Sequence, residues 1–231
     1  MISEYWGKNM HIRRLLIIFA CTLVMPLQAT STDAQRGRTT MKLLEARDIS
    51  TGWRHPVHRP LSFSIARGEI LALIGPNGAG KSALLAALAG YGARIFSGHL
   101  QREPTVRVGF QSQHLPPVED LPLSGAELLA LTGACRDGLP QWLAPSLNQR
   151  LDRLSGGQKQ FLALWSIVQA KADLLFLDEP GNHLDKAGLA ALPATLRARA
   201  DQNVGIIMVS HDLELTKECC DILVSVEPHD D

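Results

Sequence analysis

The sequence has no excess of charge of either sign. Its 231 residues carry 23 Lys and Arg against 23 Asp and Glu, so the formal net charge is zero. A protein that binds nucleic acid or an anionic membrane over a broad surface needs a basic field, which this composition does not supply. We therefore expect local recognition of partners and no nucleic acid among them.

Cysteine is scarce, with four residues: Cys21, Cys135, Cys219 and Cys220. None of them has the CxxC or metal-finger spacing. The last two are sequence neighbours, which rarely bridge each other. The pattern favours reduced thiols in a cytosolic compartment over a disulfide framework or a metal site.

Long apolar runs are absent as well. Residues 15–27 are nearly all apolar but too short for a membrane span. They follow two arginines and precede small and polar residues, the order of a secretory signal peptide. Two interpretations of residues 1–40 remain open: an extension upstream of a true start at Met41, or an uncleaved anchor on the cytosolic face. We favour the first, because a strand-like pattern begins directly after Met41, and we predict a linker at residues 30–40.

The remainder has the composition of a soluble globular protein, with 45% hydrophobic and 20% charged residues and room for one or two domains. Strand-like and helical segments alternate, which predicts an α/β fold. Strands are expected at residues 43–49, 61–65, 70–74, 106–110, 174–177 and 204–210, and helices at 82–89, 121–131, 142–154, 158–170 and 186–200.

A glycine-rich loop follows the apolar strand at residues 70–74. It consists of Gly75, Pro76, Asn77, Gly78, Ala79, Gly80, Lys81 and Ser82. Glycines permit positive φ and a close approach of backbone N–H groups to an anion, and the next helix points its positive end there. Lys81 would then contact the β- and γ-phosphates, and the Ser82 hydroxyl would bind Mg²⁺. The loop predicts binding of ATP or GTP.

Two carboxylates follow the apolar strand at residues 174–177. At the carboxyl end of a buried strand, Asp178 is placed to hold Mg²⁺ directly or through water. Glu179 points elsewhere and is our candidate for the general base that polarises the attacking water. Alone, such a pair is more often a solvated strand end; the upstream loop favours the catalytic interpretation.

A second anion site is indicated by Ser155, Gly156 and Gly157 at a predicted helix start. One chain cannot bring this site to a phosphate that its own loop already holds. The segment would therefore serve the nucleotide of a second subunit, although an ordinary helix cap is the alternative.

Together these segments resemble the ATP-binding subunits of ABC transporters over essentially all of residues 41–231. Residues 154–158, Leu-Ser-Gly-Gly-Gln, match the signature motif of that family letter for letter. The phosphate loop, a glutamine after a strand, the Asp-Glu-Pro segment and Ser-His-Asp at residues 210–212 occur in the family's order. The resemblance implies a P-loop NTPase fold of the ABC type: a mostly parallel sheet with helices on both faces, an antiparallel β edge and a helical subdomain at about residues 114–170.

The resemblance also implies roles for single residues. His211 would contact the γ-phosphate, and Trp53 would stack on adenine. Gln113, preferred to Gln111 because of its spacing after the strand, would reach Mg²⁺ and couple the site to the membrane partner. Asp185 would link the two sites of a dimer. Ser155, Gly156, Gly157 and Gln158 would bind the nucleotide of the second copy, in a head-to-tail arrangement.

The function implied is ATP hydrolysis that powers transport, with ATP and Mg²⁺ as cofactors. The partners would be a second copy of the chain, an integral membrane permease and a substrate-binding protein. The chain would lie peripherally on the cytoplasmic face of the inner (plasma) membrane. Residues 121–127 look like the corresponding part of importers for zinc, manganese or metal chelates, which favours metal import.

Two other functions stay open. Residues 182–185 recur in soluble ABC ATPases that act on ribosomes, although such proteins typically join two domains and carry basic linkers; action on DNA belongs to the same class. A non-hydrolysing nucleotide-binding module is suggested by Phe161, which follows Gln160 where the family usually has arginine. The missing positive charge predicts slow turnover.

Overall fold

The computed structural model describes residues 42–112 and 123–229. The strands in these ranges are β1 (Lys42–Gly52), β2 (Leu61–Ala66), β3 (Ile70–Ile74), β4 (Arg94–Arg102), β5 (Val108–Gln111), β6 (Leu174–Asp178), β7 (Gly205–Val209) and β8 (Ile222–Ser225). The α-helices are α1 (Lys81–Ala89), α2 (Gly125–Thr132), α3 (Gly156–Val168), α4 (Lys186–Ala200) and α5 (Leu213–Cys219).

A parallel sheet of five strands organises the fold, in the order β5-β6-β7-β3-β8. Strands β6 and β7 are buried along their whole length, and β3 is buried except at its last residue. Continuous apolar runs are typical of parallel strands that are covered on both faces. The phosphate loop after β3, Asp178 at the end of β6 and the residues after β7 therefore lie at one edge of the sheet.

One face of this sheet packs against α1 and a second, antiparallel sheet in the order β2-β1-β4. The core on this side takes alternate residues of the central strands, such as Leu71 and Leu73 of β3. The intervening residues Ile70 and Ala72 join the core on the opposite face, which is built from α2 to α5. The prediction of an α/β fold with helices on both faces and an antiparallel edge is confirmed.

Local boundaries follow capping signals. The helix predicted at residues 186–200 occurs over the same residues, with Asp185 as its N-cap. Helix α2 begins later than predicted because Ser124 and Glu127 form a capping box. The predicted helix at residues 142–154 is wrong. Two short 3₁₀ helices, Ala144–Asn148 and Leu151–Arg153, occur there instead, because the backbone is extended at Gln149 and Arg150 between them.

Three elements have no counterpart in the sequence-based prediction: β4, α5 and β8. Strand β4 is exposed along most of its length, so it carries no alternating apolar pattern. Both β8, with four residues, and α5, with seven, are too short for a periodic signal.

The described cysteines, Cys135, Cys219 and Cys220, are free thiols, as predicted. Cys21, the signal-like residues 1–40, the proposed start at Met41 and residues 113–122 lie outside the described residues. The described helices include none with the length and apolar character needed to cross a membrane.

Candidate functional site

The phosphate loop is held by its own lysine. Gly75, Gly78 and Gly80 have φ values of 145°, 81° and 86°, in the region that favours glycine. The buried Lys81 donates from Nζ to the carbonyl oxygens of Gly75 at 2.9 Å and Pro76 at 2.8 Å. The ammonium group therefore lies inside the curve of the loop.

Two neighbouring segments pack closely against the loop. A Cβ atom at Gly80 would lie 3.3 Å from Cβ of Val57, and one at Gly75 would lie 3.3 Å from the carbonyl carbon of Val226. Pro76, Asn77 and Gly78 are exposed, and a Cβ on Gly78 would meet nothing within 4 Å. The middle of the loop is thus open to a ligand while both of its ends are fixed; Ala79 is buried beneath it.

Ser82 and Asp178 meet at the end of the loop. The Ser82 hydroxyl donates to Oδ1 of Asp178 at 3.0 Å. Burial raises the pKa of Asp178, an effect opposed by the Ser82 hydrogen bond and by the charge of Lys81. A hydroxyl and a buried carboxylate are the hard oxygen donors that Mg²⁺ prefers, so these residues fit that ion.

Glu179 lies between two polar partners. Its Oε1 is 3.5 Å from Nδ1 of His211, and its Oε2 accepts a hydrogen bond from Nδ2 of Asn182. Its backbone has φ 51°, unusual for a residue with a side chain, and its N–H donates to the Val209 carbonyl at 3.0 Å. Such backbone strain is concentrated at functional sites. The sheet edge thus brings Glu179 and His211 together.

Asn182 was missed as a site residue. Sequence reasoning used it only as part of a motif shared with other ATPases. Its N–H also donates to the Glu179 carbonyl at 3.0 Å, closing a turn across Pro180 and Gly181. An amide side chain three residues after a carboxylate, with Pro-Gly between them, was the available signal.

The signature segment, residues 154–158, starts helix α3. Ser155 is its N-cap: its hydroxyl accepts from the Gln158 N–H at 3.2 Å, and Gln158 Oε1 accepts from the Ser155 N–H at 3.0 Å. The Gln158 amide also donates to the Ser146 hydroxyl at 2.9 Å. In this chain Ser155 and Gln158 thus form a capping box, with the exposed Gly156 between them.

Asp185 lies against the same segment. A Cβ atom on Gly157 would be 2.9 Å from Cβ of Asp185 and closer still to its carboxylate. The other carboxylate oxygen caps helix α4 by accepting from the Gly188 N–H at 2.8 Å. Asp185 therefore joins the starts of α3 and α4 in one chain.

Trp53 lies in the connection between β1 and β2, and its ring is beside Gly92. A Cβ atom on Gly92, beyond the C-terminal end of α1, would be 3.0 Å from the Trp53 ring, which is 57% exposed. Val57 and His58 are the nearest residues to the Cβ position of Gly80. The exposed ring is accessible for stacking.

Gln111 is the last residue of β5, and Gln113 follows it two residues later. Gln113 lies outside the described residues. Gln111 is buried beside Leu177 of β6, and its Oε1 accepts no hydrogen bond in the part of the chain that is described. Gln111 faces the core on the α3 side of the sheet, whereas Asp178 faces α1.

His55 and His58, both in the connection between β1 and β2, differ in exposure. His55 is exposed, but His58 is fully buried, with Nε2 3.1 Å from the Thr51 nitrogen and Nδ1 2.8 Å from the Arg59 carbonyl oxygen. Residues 42–112 and 123–229 contain no group of three or more His, Cys, Asp or Glu that could hold a metal ion.

Comparison with known proteins agrees with this geometry. The pattern that defines the ABC transporter family matches residues 58–182. The zinc import ATP-binding protein ZnuC of Marinobacter nauticus is 37% identical over 180 residues, which cover 75% of this chain and 70% of that protein. The ZnuC of Paracoccus denitrificans is 34% identical over 188 residues, which cover 78% of this chain and 74% of that protein.

Solved structures show the same fold. The ATP-binding subunit of an ABC transporter superposes with a TM-score of 0.63 at 25% identity, covering 80% of this chain and 86% of that one. A metal-chelate type ABC transporter in an inward-facing conformation superposes with a TM-score of 0.59 at 23% identity, covering 80% of this chain and 79% of that one. From the family match, the two relatives and the shared architecture, this chain belongs to the ABC transporter family, as one of its ATP-binding, ATP-hydrolysing subunits.

Proposed function

We propose that this chain hydrolyses ATP at the edge of its parallel sheet to power zinc import through a separate membrane permease. The observation that carries the catalytic part is the convergence of Lys81, the Ser82–Asp178 pair and the Glu179–His211 pair on that edge. The residues of each pair follow or end different strands, so the arrangement depends on how β3, β6 and β7 lie in the sheet.

The residues have separate roles in the proposed reaction. The loop amides and the Lys81 ammonium bind the β- and γ-phosphates. Ser82 and Asp178, with Gln113, would hold Mg²⁺, which when bound neutralises charge on those phosphates. Glu179 accepts a proton from the attacking water, and His211 orients that water and the γ-phosphate. Trp53, exposed on the surface, is proposed to stack on adenine.

We further propose a head-to-tail dimer. Ser155, Gly156, Gly157 and Gln158 would contact the nucleotide on the phosphate loop of the second copy. The exposure of Ser155 and Gly156 supports this role, because their backbone remains accessible at a helix start. Asp185, which packs on Gly157, would transmit the state of this contact to the Glu179 turn that precedes it.

The proposed cargo rests on the relatives. Both are zinc import ATP-binding proteins, and each aligns with about three quarters of this chain. A permease on the membrane and a substrate-binding protein would complete the system, with this chain attached peripherally on the cytoplasmic side.

The test combines enzymology and uptake. The tagged chain is isolated with its membrane partners, and ATP hydrolysis is measured for the wild type, Glu179→Gln and the control Glu218→Gln, which changes an exposed residue of α5. The same variants are placed in the chromosomal gene, and uptake of radioactive Zn²⁺ is followed. We expect hydrolysis to fall about 100-fold or more in Glu179→Gln only, with Zn²⁺ uptake falling in parallel.

Undiminished hydrolysis in Glu179→Gln would contradict the assignment of the base. Loss of hydrolysis without any change in Zn²⁺ uptake would contradict the cargo and leave the ATPase assignment intact. Isolation with ribosomes instead of an integral membrane protein would favour the soluble alternative.

A further inference from the structure

The carboxylate of Glu179 is held differently at its two oxygens. Oε2 accepts from the Asn182 amide, while Oε1 lies 3.5 Å from His211 Nδ1, beyond ordinary hydrogen-bond length. The Glu179 side chain is 19% exposed, and that of His211 is 62% exposed. One oxygen is therefore fixed by the protein, and the other faces the accessible side of the site.

The turn from Glu179 to Asn182 restricts the movement of both residues. Asn182 donates its backbone N–H to the Glu179 carbonyl at 3.0 Å and its side-chain amide to the carboxylate of the same residue. The Glu179 backbone is fixed as well, by φ 51° and by its N–H donating to Val209. Both the backbone and the side chain of Glu179 are therefore held by contacts.

The geometry points to Asn182 as a positioning residue for hydrolysis. By occupying Oε2, its amide leaves Oε1, beside His211, as the oxygen that accepts the proton of the attacking water. This inference rests on the proposed role of Glu179 as the base. In this role Asn182 acts through the orientation of one carboxylate and not by its own contact with the nucleotide or the water.

Substitution of Asn182 separates orientation from binding. Asn182→Ala removes the amide, and Asn182→Asp keeps its shape but replaces the donor with an acceptor that repels Glu179. We expect kcat for ATP to fall about tenfold or more in both variants, because misplacing a catalytic group is costly. KM and the affinity for a fluorescent ATP analogue should stay within about twofold, since the phosphate loop is untouched.

Two controls make the test specific. Asn148→Asp makes the same chemical change at an exposed position and should leave kcat unchanged. In the Glu179→Gln background, adding Asn182→Ala should change the residual single-turnover rate by less than about twofold, because a residue that acts only through Glu179 has no further effect once that carboxylate is gone.

The outcomes are distinguishable. If Glu179→Gln abolishes hydrolysis but both Asn182 variants turn over like the wild type, the positioning role is wrong and the proposed function stands. A parallel loss of kcat and nucleotide affinity, or a full additional loss in the Glu179→Gln background, would also overturn the positioning role. If hydrolysis does not depend on Glu179, both proposals fail.

Discussion

The carboxylate of Asp185 occupies the space that a side chain on Gly157 would need. One residue is the N-cap of α4, and the other lies in the first turn of α3. The two helix starts approach so closely only because residue 157 has no Cβ. The loop after Glu179 and the signature segment are therefore in direct contact within one chain.

Gly157→Ala is expected to destabilise the protein by about 1–3 kcal/mol, because the new methyl group displaces Asp185 from its cap on α4. Gly156→Ala is the matched control: a Cβ at Gly156 meets nothing within 4 Å. We expect the control to unfold at the urea midpoint of the wild type or slightly above it. Equal midpoints for the two variants would show that Asp185 can move away without cost.

We expect Phe161 to contribute to the stability of the fold by packing, rather than to affect the protein through the positive charge that it lacks. The side chain is fully buried, its ring is 5.2 Å from that of Trp142 and 6.4 Å from that of Trp165, and it packs against Gly188. Phe161→Ala should lower the free energy of unfolding by about 3–5 kcal/mol. Phe96→Ala, at a residue that is 41% exposed, is the control and should cost about 1 kcal/mol or less. Urea unfolding of both variants measures the difference, and equal losses would contradict the packing argument.

Features formed by residues that are contiguous in the chain, or that follow neighbouring parallel strands, were predicted well from the sequence. The strand, loop and helix around Lys81 are contiguous, and their residue types determine their geometry almost without help from the rest of the fold. The approach of Glu179 to His211 was also predictable, because both follow buried parallel strands and the carboxyl ends of such strands share one edge.

Contacts between distant segments could not be predicted in this way. Phe161 was interpreted as a missing charge, since the sequence alone does not show that α3 turns this position towards Trp142 and Gly188. The approach of Asp185 to Gly157 depends on how two helices pack. The position of the Trp53 ring beside Gly92 likewise depends on how distant segments pack.

Lys81→Ala is expected to lower the affinity for magnesium-bound ATP about tenfold or more. It removes the charge that would contact the phosphates and also two hydrogen bonds that hold the loop closed, at Gly75 and Pro76. Lys171→Ala, at an exposed position before β6, is the control. Titration with a fluorescent ATP analogue gives both dissociation constants. An unchanged affinity in Lys81→Ala would remove the basis for placing the nucleotide at this loop.

Acidification is expected to destabilise the protein through His58. Burial lowers the pKa of His58, and the nearby His229 acts in the same direction, so the folded state holds this ring neutral. Because Nε2 accepts the Thr51 N–H, its tautomer carries the proton on Nδ1, which donates to the Arg59 carbonyl. A proton on Nε2 would deprive the Thr51 N–H of its acceptor, and the Thr51 hydroxyl oxygen, 2.8 Å away, would have to accept it.

The sign of the pH dependence follows from this. The unfolded chain binds a proton near pH 6.5, and the folded chain does so only at lower pH. The stabilisation is therefore complete above about pH 6.5 and is lost as the pH falls through the lower, folded-state value. Since His58 and Val57 pack on Gly80, the same protonation should loosen the phosphate loop and weaken nucleotide binding.

Urea unfolding between pH 7.5 and 5.0 checks this prediction. The free energy of unfolding of the wild type and of the control His55→Gln should decrease with acidification along the same curve, because His55 is exposed. His58→Gln should be less stable at pH 7.5 but should lose less stability on acidification, since it has no proton to gain there. If the free energy of unfolding falls with the same slope in His58→Gln and in the wild type, His58 does not remain neutral in the folded protein. Protonation of His58 would then have no effect on how Val57 and His58 pack against the phosphate loop.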